Sequence, residues 1–478
     1  MNREKIFSYF EEGQSVLSPF IDLYFYCLQK TVRFEQLWAI QDPRFRKFLD
    51  MADLWLDLLD EREVLKKRDM DELLEIFSEK IETEDDAIIF AYAFLKAVEK
   101  NYSFLPQQVN SSRGRYVLFQ NERGIVVTKN YPFPSLYEKE TTKAMRKMRL
   151  RHQYWPTDLA SHFQFFHVLP IEWEGRSVSV YSISNLLQAQ WERDIHFKIA
   201  LSQLSIDPEF ISYLSEDSSR EVPFNIVNDK SGRELFKRIC EETEYAFQQD
   251  VSVLLFPELL FKAEFEGEFL HFIQEMSRKY QRFIMVIIGY LHDRMDFGIW
   301  VNEAKCIVPV LDKSSSGINY EVLCVERKKK PVNFLAKEVG LELISAQAYA
   351  QGAIENIYPG DEWSIIETPL GRMGFVICKD FLAISETMLQ SLEIDFLFVS
   401  ALTKTMDGKF MGKAEHIANT TFTGTAVANN GWYVEASGKK SNQHCLGSAP
   451  IFAAKGQPYI SVYSREPGKW GPLKVFML

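Results

Sequence analysis

Cysteine is scarce in this 478-residue chain: Cys27, Cys240, Cys306, Cys324, Cys378 and Cys445 are the only six, and no two form a CxxC pair. That spacing excludes a disulfide framework and a cysteine-built zinc site, and it is the thiol usage of a reducing compartment. Long apolar runs are missing as well. Stretches such as Phe283–Leu291 reach half of the roughly 18–20 residues that a membrane helix needs, so no membrane contact is expected. The opening Met1-Asn2-Arg3-Glu4-Lys5 leads into a polar stretch without the apolar core of a secretory signal. A soluble, cytoplasmic chain is expected. Positive charge is the minority sign, with 55 Lys and Arg against 66 Asp and Glu and a net charge of −11. A surface that grips a phosphate backbone along its whole length is therefore excluded. Hydrophobic residues, by contrast, make up 46% of the chain, which excludes wholesale disorder.

Domains usually hold roughly 100–200 residues, so this length predicts two or three. Residues 1–105 read as a helical bundle. Apolar residues recur at spacings of three and four through Leu17, Phe20, Ile21, Tyr24 and Leu28, and again from Ile88 to Val98. Asp71 before Leu73, Leu74, Ile76 and Phe77 predicts a capped short helix. Residues 106–193 read as a small α+β basic connecting segment. Its β-prone runs Arg115–Phe119 and Ile125–Lys129 predict a hairpin, and its stretch from Lys139 to Arg151 is basic. That stretch offers phosphate or nucleic-acid contact; the blander reading is a solvated helix face.

From residue 194 the style changes to α/β. Short and nearly continuous apolar runs recur: Phe197–Leu201, Val251–Phe256, Phe283–Ile288, Gly374–Ile377, Phe396–Val399 and Thr425–Ala428. Runs of this kind are what strands covered on both faces look like. Between the first two, Ser231-Gly232-Arg233-Glu234 has the form of a capping box. The helix it would open carries Leu235, Phe236, Ile239, Thr243, Ala246 and Phe247 on one face. Three strand ends deliver reactive groups. Val251–Phe256 runs into Pro257-Glu258, Val322–Arg327 into Lys328-Lys329-Lys330-Pro331, and Gly371–Ile377 into Cys378-Lys379-Asp380. The carboxyl ends of strands are where sites assemble in such sheets, so a carboxylate, an ammonium and a thiol are expected to meet there.

With these motifs in this order, the chain from about residue 194 resembles the nitrilase superfamily of carbon–nitrogen hydrolases. Lys198-Ile199-Ala200-Leu201-Ser202-Gln203 resembles the family's opening strand, and Leu255-Phe256-Pro257-Glu258 its first catalytic motif. Gly371-Arg372-Met373-Gly374-Phe375-Val376-Ile377-Cys378-Lys379-Asp380 resembles its nucleophile motif. Ile394–Ser400, Ala426–Gly431 and Gly447–Ile451 are similar to later core strands. The resemblance implies a four-layer α-β-β-α sandwich over 194–478, preceded by the mainly helical region. It also implies a catalytic trio of Glu258, Lys328 and Cys378, with Lys330 as the alternative lysine and Glu355 as an accessory carboxylate. The implied reaction is hydrolysis of an amide, nitrile or N-carbamoyl compound through a Cys thioester, without metal or organic cofactor. A homo-oligomer is implied too.

Two departures stand out. Lys379 occupies a position that is usually bulky or aromatic in the family, and it adds positive charge beside the thiol. The stretch between the lysine run and Cys378 is longer than usual, which implies a lid. Other readings of the same residues are a Cys–His protease pairing Cys378 with His416 or His444, and a non-catalytic sensor or scaffold on a nitrilase fold, as an oligomeric component of a bacterial defence system.

Overall fold

The structure is a computed structural model that describes residues 2–30, 42–59, 64–102, 109–110, 115–116, 118–128, 159, 163, 166–194, 197–212, 221–295, 298–311, 317–334, 352–392, 394–403, 409–421, 423–430, 445–448, 463–464 and 474–477. The basic stretch Lys139–Arg151, His444 and residues 335–351 of the expected lid lie outside these residues. The chain divides into two compact units, one built mainly from the first 174 residues and one containing Gly175–Leu478.

The first unit carries α1 (Asn2–Phe7), α2 (Leu17–Gln29), α3 (Pro43–Asp57), α4 (Lys67–Phe77) and α5 (Glu84–Tyr102). Every residue from Ala87 to Leu95 is buried, so α5 is apolar on all sides and occupies the middle of the bundle, with α2 and α3 packed on it. Aromatic edges fill the interior: Phe10 meets Phe94 at 5.0 Å and Phe48 meets Phe90 at 5.9 Å, both T-shaped. Helix α4 starts four residues before the expected Asp71, because the Asp69 carboxylate accepts the Lys66 N–H at 2.8 Å and caps it there. The expected hairpin forms with a shorter first strand, β1 (Phe119–Gln120) against β2 (Gly124–Thr128), because Arg115–Tyr116 pairs with Val109–Asn110 instead; β2 continues antiparallel into β3 (Phe166–Pro170).

The second unit is α/β. It begins with β4 (Arg176–Ser182), α6 (Asn185–Arg193), β5 (Lys198–Leu201), β6 (Pro208–Ser212), β7 (Val222–Asp229), α7 (Arg233–Gln248) and β8 (Val253–Leu255). Then come α8 (Glu266–Tyr280), β9 (Met285–Gly289), β10 (Glu303–Leu311), β11 (Ile318–Arg327), β12 (Asn333–Phe334), β13 (Ala353–Glu355), β14 (Glu362–Thr368) and β15 (Gly371–Ile377). The rest is α9 (Lys379–Ala383), α10 (Glu386–Ser391), β16 (Phe396–Ala401), α11 (Lys409–Thr420), β17 (Gly424–Asn429), β18 (Cys445–Ser448), β19 (Tyr463–Ser464) and β20 (Lys474–Met477).

One sheet runs β11-β10-β9-β8-β5-β20-β19, with β5, β8 and β9 parallel. A second contains β4-β14-β15-β16-β17-β18, with β15, β16 and β17 parallel. A small third sheet orders β12-β13-β7-β6. Strands β8, β9, β15, β16 and β17 are buried along their whole length, which is why they read as unbroken apolar runs. The second unit starts before the expected residue 194, because β4 pairs in parallel with β14 from Ser177 opposite Glu362 to Ser182 opposite Glu367. The expected capping box does not form. Gly232, at φ 48°, precedes α7 without a side-chain cap, and the Ser231 hydroxyl donates to the Asp229 carboxylate at 2.7 Å instead.

Candidate active site

Strands β8 and β15 end close together at the seam between the two large sheets. The Ser400 hydroxyl of β16 donates to the Phe256 carbonyl at 2.9 Å, and the Asn430 amide donates to the Glu258 carbonyl at 3.0 Å. Glu258 leaves β8 through a tight bend in which Leu259 takes φ 55°. That bend lies on Gly289 of β9. A Cβ there would come within 2.5 Å of the Pro257 carbonyl oxygen and 2.7 Å of the Glu258 Cα, so only glycine lets the two backbones approach this closely.

Lys328 follows β11, its N–H bonded to the Asn302 carbonyl at 2.9 Å and its own carbonyl accepting from Gly360 at 3.0 Å. Cys378 sits at the turn from β15 into α9 with φ 46°, in the left-handed region that a β-carbon disfavours. Its N–H is tied to the Ser400 carbonyl at 2.9 Å. Strained turns of this kind gather at functional sites because the surrounding structure has to hold them.

The buried ammonium of Lys328 joins two buried carboxylates. Its Nζ donates to Glu258 Oε1 at 2.6 Å and to Glu355 Oε2 at 2.7 Å, with all three side chains no more than 2% exposed. Asn302 bridges the same two acids, its Nδ2 donating at 2.8 Å to Glu258 Oε1 and at 2.7 Å to Glu355 Oε1. Glu355 also accepts from the Val332 N–H at 3.0 Å and pairs with His292 Nε2 at 2.8 Å. His292 Nδ1 accepts the Ile226 N–H at 2.7 Å, which leaves Nε2–H as the donor to Glu355.

The two carboxylates therefore differ. Burial opposes ionisation of both, but Lys328 and His292 hold Glu355 well below the usual carboxylate range. Glu258 is pushed above it, because burial and the Glu355 charge outweigh the help of Lys328 and Asn302. Its second oxygen, Oε2, is buried and receives no N–H donor among the described residues. Burial raises the Cys378 thiol, the Glu258 charge raises it further, and Lys328 pulls the other way. The protonated thiol donates to the Leu402 carbonyl at 3.5 Å. Lys328 itself is held protonated by Glu258 and Glu355 against the effect of burial.

Of the residues expected from sequence, Glu258, Lys328, Glu355 and Cys378 thus share one buried site. Lys330 is exposed and takes no part in the carboxylate cluster; its N–H and that of Lys329 are held by Asp380 at 2.9 and 2.7 Å. The Lys379 ammonium donates to the Pro331 carbonyl at 2.8 Å, so it ties the lysine loop to α9. His416 is exposed and pairs with Glu386. Asn302 and His292 were missed by sequence reasoning, since neither lies in a motif that marks it. Among the described residues no cluster of His, Cys, Asp and Glu is arranged to hold a metal ion, and no helix is long and apolar enough to cross a membrane.

No family model and no curated protein matches the chain. Among solved structures it matches a mutant amidase from Nesterenkonia sp. AN1 that carries the Michael addition product of acrylamide at its active-site cysteine. The identity is 16%, over 59% of this chain and 93% of that one, with a TM-score of 0.36. Nit3 of Saccharomyces cerevisiae, a member of branch 10 of the nitrilase superfamily, matches at 14% identity over 59% of this chain and 90% of its own, with a TM-score of 0.35. A glutamine-dependent NAD+ synthetase from Acinetobacter baumannii matches at 17% identity over 50% of this chain and 39% of its own, with a TM-score of 0.31.

Proposed function

We propose that the second unit is a thiol-dependent hydrolase of non-peptide carbon–nitrogen bonds, acting on an amide, nitrile or N-carbamoyl compound. The observation that carries this reading is the unequal treatment of the two carboxylates around Lys328. Glu355 takes four donors and stays an anion, whereas both donors on Glu258 fall on Oε1, its proton affinity is raised, and it acts directly on the Cys378 thiol. A base of that kind suits a thiol that burial keeps protonated.

For an amide, Glu258 takes the Cys378 proton as sulfur attacks the carbonyl carbon. The negative oxygen of the tetrahedral intermediate is held by the Lys328 ammonium and by the N–H of Lys379, which as the first residue of α9 has no partner within the helix. Glu258 returns the proton to the leaving nitrogen, ammonia or an amine departs, and a thioester remains. Water then attacks the thioester carbon, giving one proton to Glu258, which passes it back to the departing sulfur. Glu355 and Asn302 hold Lys328 in place through both steps. The cycle uses no cofactor.

The same reading carries the four-layer sandwich architecture and assembly into a homo-oligomer. Screening amides, nitriles and N-carbamoyl compounds for ammonia release, wild type beside Cys378→Ala, tests it. Release that falls to background in the variant supports the reading; equal release from both overturns it.

A further inference from the structure

Arg176 stands at the start of β4, upstream of every motif that suggested chemistry, yet its side chain is completely buried within the second unit. A buried guanidinium is costly unless paired, so what it pairs with matters. It forms an ion pair with Glu326, two residues before Lys328, and donates to the carbonyls of Glu362 and, at 3.3 Å, Arg327. Its other terminal nitrogen lies 3.9 Å from an Asp380 carboxylate oxygen, two residues after Cys378. The Trp363 ring closes one face at 3.8 Å. Asp380 in turn holds the N–H groups of Lys329 and Lys330. One cation thereby bonds to the strand that delivers the lysine and, among the described residues, stands within ion-pair distance but without a hydrogen bond of the helix that follows the thiol.

We propose that Arg176 is a positioning residue for the thiol site: it keeps Asp380 charged and in place, and Asp380 clamps the turn after Lys328 against the helix after Cys378. The inference rests on the hydrolase reading above. Accepting two N–H groups suits an ionised carboxylate, and burial works against that ionisation. The groups that face Asp380 are Arg176 from β4, Lys328, the N–H groups of Lys329 and Lys330 after β11, and the second acid Glu326. Arg176 and Lys328 favour the charged form, and Arg176 alone of these two has no catalytic part.

The test compares Arg176→Met, Arg176→Lys, Asp380→Asn and the Arg176→Met/Asp380→Asn double variant in the full chain. Three readouts are Cys378-dependent ammonia release as a function of pH, iodoacetamide labelling of Cys378 by mass spectrometry, and the thermal melt. Arg176→Met is expected to lower kcat/KM about a hundredfold, the scale of a small misplacement of reacting groups. Its acidic limb, set in the wild type by Glu258, moves to higher pH, because Asp380 then takes up a proton more readily and the clamp loosens before Glu258 is protonated. Arg176→Lys recovers part of both effects. In the Asp380→Asn background, Arg176→Met moves the limb no further. Wild-type kcat/KM with an unmoved limb in Arg176→Met overturns the inference and leaves the hydrolase reading standing. A loss with an unmoved limb, or one additive with Asp380→Asn, also overturns it. Should Arg176→Met not fold, an acidic limb in Arg176→Lys and Asp380→Asn identical to that of wild type overturns it as well. A wild-type protein with neither Cys378-dependent turnover nor Cys378 labelling overturns both.

Discussion

Four donors converge on Glu355, while Lys328 and Asn302 share a single oxygen of Glu258. The inequality gives the two acids opposite effects on stability. Glu355, held below its ordinary pKa of 4.5, favours the folded state above that value, and the contribution is lost as pH falls through its folded pKa. Glu258, raised above 4.5, gives up stability as pH climbs from there through its folded pKa. Urea unfolding at pH 7 should therefore find Glu355→Gln destabilised by about 1–3 kcal/mol, the cost of buried donors left unpaired. Glu258→Gln should be no less stable than wild type under the same conditions. Lys328→Ala leaves two buried carboxylates without their cation and should lose about 3–5 kcal/mol by the same measurement. A fall in kcat/KM on acidification through the raised pKa of Glu258, above the ordinary 4.5, is expected where that acid is the base. Strand ends pointed to Glu258, to a lysine of the 328–330 run and to Cys378, and the family resemblance singled out Lys328 within that run. Asn302 and His292 could not be found that way, since their partners lie far off in sequence and meet them only in the folded site.

At the level of strands and turns, the placement of Glu258 depends on the close approach of β9. Gly289→Ala is expected to displace the Pro257–Glu258 backbone, lowering kcat/KM and the melting temperature together. An active and equally stable Gly289→Ala would show that the bend tolerates a Cβ. The central strands were legible in the sequence because burial on both faces leaves only apolar residues: Phe396–Val399 widened to Phe396–Ala401, and Thr425–Ala428 to Gly424–Asn429. Strand β4 was not. Arg176-Ser177-Val178-Ser179 mixes polar and apolar residues, so the run looked like part of the connecting segment until the β14 ladder claimed it. The Ser231–Glu234 pattern failed for a local reason, as Asp229 competes for the serine hydroxyl.

Across the whole molecule, each unit has a hydrophobic core of its own, and the candidate site lies in the second. Light scattering should find a homo-oligomer if the proposed hydrolase assembles as the family resemblance implies, and a strictly monomeric chain would contradict that. The central claim, a cysteine nucleophile served by a carboxylate base, is tested most directly by ammonia release from Glu258→Gln beside Cys378→Ala and wild type. Both variants are predicted to fall to background while remaining folded. A Glu258→Gln protein that hydrolyses as fast as wild type, with Cys378→Ala inactive, would contradict the account and leave the thiol to a different base.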